Sequence, residues 1–523
     1  MKFSLQLNRS KSNLVRVAAT LAIASFATGS GALAMPHSII IPSALNKKAG
    51  ACTFPDGTSP AGNSEIHCYE PKAFLQAYGI DKLHAAGLTG KGQTIILVDS
   101  FGSPTLQADL DHFSDTFRIK RTTIQFVYSN GKFVNDLSSE DKMGWAGETT
   151  LDLEWAHAIA PDATLVNVVS NTAETVGLEG FPDLMKGIEM AIAKYPGAIV
   201  SMSYGTGEPT FTPNDISQFL KGSYHSIFAK AIAADMTLLA SSGDSGSTNL
   251  DALQKNLIAT PNASYPASDS LVTAVGGTSL QMGWIWNPQG TAADYWTCKL
   301  NKTPNCNDFL SSSASSVRTE TVWKEDFNFA AGGAGVSSIY SLPEYQKNVN
   351  NAALAQMRGQ RAIPDISMNA AINGGIDIYT SYKSVKFGVK GPSWQSTGGT
   401  SCASPEMAAL VALAGQKASD TLGKKVGVGS LNEILYSLPA SDFNDITSVK
   451  LGTSQQVMID NEALFYSAGT FAAYPKNAPP TAVAGYYTAP GFDIATGLGS
   501  PRAERLVLDI AKARVAREAH PLP

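Results

Sequence analysis

Charge is scarce in this chain, and neither sign dominates. Of 523 residues 16% are charged, and the formal net charge is −5. With a pI of about 5.9 there is no basic excess with which to hold a nucleic-acid backbone. Beyond the first thirty or so residues no apolar run is long enough to cross a bilayer. Internal repeats, heptads and low-complexity tracts are absent, which excludes solenoids and coiled coils. Cysteine and histidine are few, at five and seven residues. What remains is 44% hydrophobic residues and 46 glycines, a globular composition rich in turns and long enough for one large core or two smaller ones.

The N-terminus reads as an export signal. Lys2, Arg9, Lys11 and Arg16 precede an apolar run over residues 17–27, and Ala32-Leu33-Ala34 supplies small residues for cleavage before Met35. A buried first helix is the alternative; the basic flank and small-x-small end fit export better. Residues 1–34 are therefore set apart from the fold, and the remainder is expected to be secreted, either extracellular or periplasmic. Cysteine spacing agrees with an oxidising compartment. Cys52 and Cys68 bracket a Gly/Pro/Ser-rich loop and Cys298 and Cys306 a short polar one, so two local disulfides are expected, although spacing alone leaves the pairing open.

Residues 35–70 read as an irregular arm. Thereafter apolar strands at 94–99, 164–170, 198–204, 237–241 and 271–275 alternate with helical patterns at 106–117, 148–160, 182–194 and 215–234. That alternation predicts an α/β fold, a mostly parallel sheet with helices on both faces, and places functional groups beyond the carboxyl ends of its strands. Residues 281–330 read as a surface insertion, 402–416 and 501–513 as helices, and 514–523 as a tail. One catalytic-type domain over 71–513 is expected.

Three segments carry chemistry. In Gly398-Gly399-Thr400-Ser401-Cys402-Ala403-Ser404-Pro405 a serine opens a helix at a glycine turn. An exposed hydroxyl there would lie near the helix's positive end; the same turn is also an ordinary helix cap. Cys402 is a poor rival nucleophile, because no histidine segment resembles a cysteine-protease partner. In Gly147-Glu148-Thr149-Thr150-Leu151-Asp152-Leu153-Glu154 the acids at 148 and 152 share a helix face. Exposed, they are merely tolerated, and Glu148 also suits a helix N-terminus; buried together, they would share a proton. Glu154 reads as a flanking residue, His112 as solvated and His157 as packed. Ala240-Ser241-Ser242-Gly243-Asp244-Ser245-Gly246 offers a further acid in a turn. Its Gly-Asp-Ser-Gly core mimics chymotrypsin-like proteases, but that fold is all-β and the alternation here is not.

Taken whole, Gly-Thr-Ser-x-Ala-Ser-Pro resembles the nucleophile motif shared by subtilisins and sedolisins. The seven histidines lack the context a subtilisin base requires, whereas Glu148-x-x-Leu-Asp152 followed by Ala-Ile-Ala-Pro-Asp-Ala resembles the acid-pair segment of the sedolisin family. The resemblance implies a subtilisin-like fold and a serine-carboxyl peptidase acting on proteins or peptides at acid pH. It implies Ser401 as nucleophile, Glu148 as general base and acid, Asp152 orienting it, and Asp244 held protonated toward the oxyanion. Val98-Asp99-Ser100 resembles a strand end whose acid buttresses the pair. Ser201-Met-Ser-Tyr204-Gly205 resembles the substrate-pairing strand, with Tyr where many relatives carry Trp. Gly332-Gly-Ala-Gly-Val-Ser and Arg361-Ala-Ile-Pro-Asp365 fit as packing elements. Phe443-Asn-Asp445-Ile446-Thr and Ala489-Pro-Gly491-Phe-Asp493 resemble the family's calcium site. That implies one structural Ca2+ held by the Asp445 and Asp493 side chains and the Ile446, Ala489 and Gly491 carbonyls. A monomer without nucleic-acid or membrane partners is expected. Only about 35 residues separate the signal from the predicted domain, so activation by removal of a large prosegment is not expected.

Overall fold

The computed structural model describes residues 39–44, 52–60, 67–173, 178–252, 256–281, 319–325, 330–386, 388–447, 449–451, 455–457, 463–465 and 481–519. The signal segment and the Cys298/Cys306 pair lie outside them. In chain order the elements used below are β1 (Ile39–Ala44), β2 (Cys68–Tyr69), β3 (Thr94–Ser100), α1 (Leu106–Phe117), β4 (Gln125–Tyr128), α2 (Glu140–Ile159), β5 (Thr164–Ser170), α3 (Phe181–Lys194), β6 (Ile199–Met202), α4 (His225–Ala233), β7 (Thr237–Ser241), β8 (Thr273–Gln281), β9 (Thr319–Val322), β10 (Ile366–Asn369), β11 (Gly375–Thr380), β12 (Ser393–Gly398), α5 (Thr400–Leu422) and α6 (Ala503–Ala519).

The central eight-stranded sheet runs β9-β8-β7-β6-β3-β5-β4, with β10 also on β8. Every pair in it is parallel except β8–β9. Parallel strands buried on both faces read as continuous apolar runs, and successive residues then serve opposite cores. Ile95, Leu97, Leu165, Ile199, Leu239 and Val275 pack with Leu151 and Trp155 of α2, Met407 and Leu410 of α5, and Leu506 of α6. Ile96, Val98, Val166, Val168, Val200 and Leu238 pack on the other face with Leu184 and Ile188 of α3 and Phe228 of α4. Each such fully buried aliphatic contributes about 1.5–3 kcal/mol. The predicted α/β architecture is therefore present. No helix of the described residues is long and apolar enough to cross a membrane.

Among the boundaries that differ from the sequence reading, four do so because tertiary contact overrides local pattern. The acid-pair helix begins at Glu140, not 148. Ser139 caps it by accepting the Lys142 N–H, and burial of Trp145 and Ala146 offsets two glycines that read as breakers. The arm is not wholly irregular: β1 pairs antiparallel with β12, Ile39 opposite Gly398, and β2 pairs with β11. The supposed surface insertion has core ends. Gln281 lies in β8, β9 completes the sheet, and Trp323 is fully buried. Finally α6 continues through Ala519, so most of the predicted tail is helical, with Arg514 buried against Gly427.

Candidate active site

The site forms where α2 packs on the start of α5. Strand β12 ends at Gly398, and Gly399 turns the chain at φ 120°, a backbone state that residues with a side chain rarely adopt. Helix α5 then begins at Thr400. Pro405 lies inside this helix and has no N–H to give the carbonyl four residues back, so Ser401 O is left without its helical donor. The Ser203 hydroxyl, just past the end of β6, approaches that carbonyl at 3.4 Å while donating to Asp152 Oδ1 at 3.0 Å. Ser401 Oγ in turn donates to Ser203 O at 3.5 Å. Ser401 is fully enclosed rather than exposed as expected from its turn.

Glu148 and Asp152 lie on one face of α2 and both are fully buried. Glu148 sits in the third turn, so the helix-start explanation for its acidity does not apply. Burial pushes the Asp152 carboxyl well up, and the nearby Asp99 and Glu148 charges add to this, against the Ser203 hydrogen bond. Asp99, at the end of β3, is itself raised to about 7 by burial, although Asn167 Nδ2 donates to it at 2.6 Å. Neither Asp99 Oδ1 nor Asp152 Oδ2 has a hydrogen-bond partner among the described residues. Such a chain of enclosed carboxyls holds protons between its members.

Asp244 closes the site from the loop after β7. Its Oδ1 accepts both the Thr400 N–H and the Thr400 hydroxyl at 2.8 Å. Its Oδ2 is shut off from solvent and has no partner among the described residues, and burial raises the carboxyl to about 7. The loop is held by the Gly332–Gly333 segment. Ala331 N–H donates to Asp244 O at 3.0 Å and Gly333 N–H to Gly243 O at 2.6 Å. A Cβ on Gly333 would stand 2.3 Å from Ser242 O, so only glycine fits. The thiol of Cys402, next to Ser401, is pushed up by burial and by the charges of Glu406, Glu148, Asp244 and Asp152. Asp244 thus meets the start of α5 through Thr400 and Asp152 through Ser203, while Glu148 lies on the α2 face it shares with Asp152.

Ser203 and Asn167, which bond Asp152 and Asp99, were not singled out from the sequence for those contacts; nothing local marks them. Glu154, read as a flanking helix residue, lies in α2 beyond the acid pair. It is fully buried, accepts the Tyr379 N–H and is raised well above the usual carboxylate range by burial. Glu406, one turn beyond Ser401, is a buried carboxyl with neither oxygen hydrogen-bonded among the described residues. Tyr204 is buried beside Trp145 and Phe181. Several histidines are engaged elsewhere: His84 with Ile159 O, His157 with Lys120 O and His225 with Asp269. His112 is exposed and stacks on Tyr379.

The calcium candidates meet near the C-terminus. Gly491 N–H donates to Asp445 Oδ2 at 3.0 Å, across 46 residues of chain. Asp493 accepts the Ala489 N–H at 2.9 Å and the Thr496 N–H at 2.8 Å. Burial, with the Asp445 charge nearby, raises Asp493 to about 7. Two acids drawn together in carbonyl-rich loops are a hard-oxygen donor set, which fits a hard cation.

Fold and site define a subtilisin-like α/β protein with a serine at a helix start surrounded by carboxyls. A model described as the subtilase family matches residues 144–427. Kumamolisin of Bacillus sp. (strain MN-32) is 30% identical over 443 residues, covering 84% of this chain and 63% of that protein. Sedolisin of Pseudomonas sp. (strain 101) is 27% identical over 462 residues, covering 87% and 62%. The chain thus spans a little under two thirds of the length of these two relatives. A solved structure of Pseudomonas sedolisin, a serine-carboxyl proteinase complexed with two molecules of pseudo-iodotyrostatin, superposes with a TM-score of 0.56 at 23% identity. It covers 87% of this chain and all of that one, a likeness of fold. The chain belongs to the subtilase family, and the relatives it resembles there include kumamolisin and sedolisin.

Proposed function

We propose that this protein is a secreted serine-carboxyl peptidase that cleaves peptide bonds in acidic solution through an acyl-enzyme on Ser401. The observation that supports the reading is the meeting of Asp244 with Thr400 and of Asp152, through Ser203, with the Ser401 backbone, Glu148 lying on the same buried helix face as Asp152. Ser401 Oγ attacks the substrate carbonyl carbon as Glu148 takes the hydroxyl proton. Glu148 then returns that proton to the leaving amine, and water repeats the sequence to release the acid. Asp152 holds Glu148 in place. The neutral Asp244 carboxyl donates its Oδ2 proton to the oxyanion, a role suited to acid, where the acid keeps its proton. Gly205, Asp244 and Ser245 retain exposed surface, so substrate approaches the enclosed hydroxyl from their side.

Names of the relatives support peptide substrates. The N-terminal basic-apolar-small pattern and the Cys52–Cys68 disulfide support export. A structural Ca2+ at Asp445 and Asp493, with the carbonyls of Ile446, Ala489 and Gly491, would tie two distant loops. The deciding experiment is a peptide-library digest across pH with wild type, Ser401→Ala and Glu148→Gln. The reading expects acid activity lost by at least 10³-fold in both variants. A fully active Glu148→Gln overturns it. Neutral-to-alkaline activity abolished by a histidine substitution would point instead to a histidine base, and a folded wild type that never acylates Ser401 to a non-catalytic homologue.

A further inference from the structure

Far from Ser401 along the chain, a second group of reactive side chains is buried without assigned work. Cys52 and Cys68 form a disulfide that ties residues 52–58 to β2. Cys52 Sγ, Cys68 Sγ and a carboxylate oxygen of Asp377, in β11, all lie within 4.8 Å of one another. Asp377 is fully buried and, among the described residues, neither of its carboxyl oxygens has a hydrogen-bond partner. A carboxyl without donors or a cation survives in such a place as the neutral acid. Burial raises it well above the usual carboxylate range, and Glu70 is the charged group whose field adds to this. Nothing in the packing uses it: the Trp155 indole bonds the Asp377 carbonyl, not the carboxyl.

The two sulfurs are unequal. Cys52 is buried with Phe54, Phe113, Ala158 and Trp394, while Cys68 is half-buried at the edge of the same cluster. A thiolate released at Cys52 would stand in an apolar pocket, where its charge is costly; a proton donor beside it removes that cost.

We propose that Cys52–Cys68 is a redox-cleavable tether, opened by an external dithiol, with Asp377 as the proton donor to the departing Cys52 sulfur. The thiolate of the dithiol attacks Cys68 Sγ, forming a mixed disulfide as the Cys52–Cys68 bond breaks. Its electron pair goes to Cys52 Sγ, which takes the Asp377 proton. The second thiol of the reductant then displaces Cys68, leaving an oxidised dithiol and two protein thiols, and Asp377 regains its proton from solvent. Cleavage removes the covalent tie of residues 52–58 to β2 and leaves the arm held by its packing against Phe113 and Trp394 and by the pairing of β1 with residues 59–60 and with β12, the strand that leads directly to Ser401.

The test uses the full chain and dithiothreitol, with newly freed thiols alkylated and counted by mass spectrometry. Asp377→Asn, which keeps the shape and neutrality of the protonated acid, should open at least tenfold more slowly than wild type; equal rates overturn the proposal. Wild type alone provides a second measurement should that variant not fold. Its opening rate per unit of dithiothreitol thiolate should fall as pH rises through the titration of Asp377, and a flat profile overturns the donor role. Glutathione should be trapped on Cys68; trapping on Cys52 would refute the assigned direction of attack. None of these readouts depends on peptidase activity.

Discussion

The carboxyl of Asp244 accepts two hydrogen bonds on one oxygen and none on the other, so its proton has one place to sit. With its titration raised to about 7, the group donates below that pH and loses the ability above it. Asn at this position would still accept from Thr400 and would keep an N–H at every pH. Asp244→Asn is therefore expected to retain measurable kcat/KM and to move the alkaline limb of its pH profile upward. Asp244→Ala should lose about 10²–10³-fold in kcat. An unmoved limb in the Asn variant would remove Asp244 from the oxyanion role.

Two kinds of element make the site. Helices α2 and α5 are buried on nearly every side, so their register against each other is set by packing, and the carboxyls they carry are held without solvent. The proline at 405 is a departure from helical bonding that leaves the Ser401 carbonyl for Ser203 to approach. The loops around Asp445 and Asp493 are a different case, being distant in sequence and joined by the hydrogen bonds of the Gly491 N–H to Asp445 and of the Thr488 hydroxyl to the Thr447 carbonyl. A cation bound only by the folded state stabilises it by about 3 kcal/mol at a hundred times its dissociation constant. A calcium chelator is therefore expected to lower the thermal midpoint of wild type, and Asp445→Ala should abolish that response. A midpoint indifferent to chelator would remove calcium from the account.

Across the whole molecule two features govern stability. Arg361 and Asp365 form a fully enclosed ion pair at 2.7 Å, with the guanidinium also donating to the Val272 carbonyl and the Tyr345 hydroxyl. Removing one partner strands the other charge, so Arg361→Ala should cost about 3–5 kcal/mol in denaturant unfolding. The second feature is the number of neutral acids in the interior. Asp244 and Glu325 titrate at about 7 because of burial, well above their unfolded values of 3.8 and 4.5. Folded chain then binds more protons than unfolded chain between those limits. Stability is fully present below about pH 4 and declines as pH climbs toward 7, by roughly 3–4 kcal/mol for each such group. Glu154, Asp377 and Glu406, raised further by burial, act in the same direction. Calorimetry should find the thermal midpoint highest in acid and falling between pH 4 and 8; a rising midpoint would mean that these acids are ionised and paired.

Sequence alone was enough for the α/β class and for the three motif segments, because strand burial and nucleophile turns are written in runs of six to eight neighbouring residues. It also set the carboxyl-bearing segments apart from the histidines, which lacked the context a subtilisin base requires. What it could not supply were contacts between residues far apart in the chain. Ser203 meets Asp152 across 51 residues and Ser401 across 198, and Asn167 meets Asp99 across 68. Periodicity records which face of an element is apolar and nothing about what lies opposite. For the same reason Glu154, Glu406 and Asp377 looked like ordinary acids until the helices and strands around them closed, and the isoleucine run at 39–41 in the N-terminal arm had no pairing partner until β12 offered it an edge. Burial, which converts a surface carboxylate into a neutral proton donor, is a property only of the folded chain.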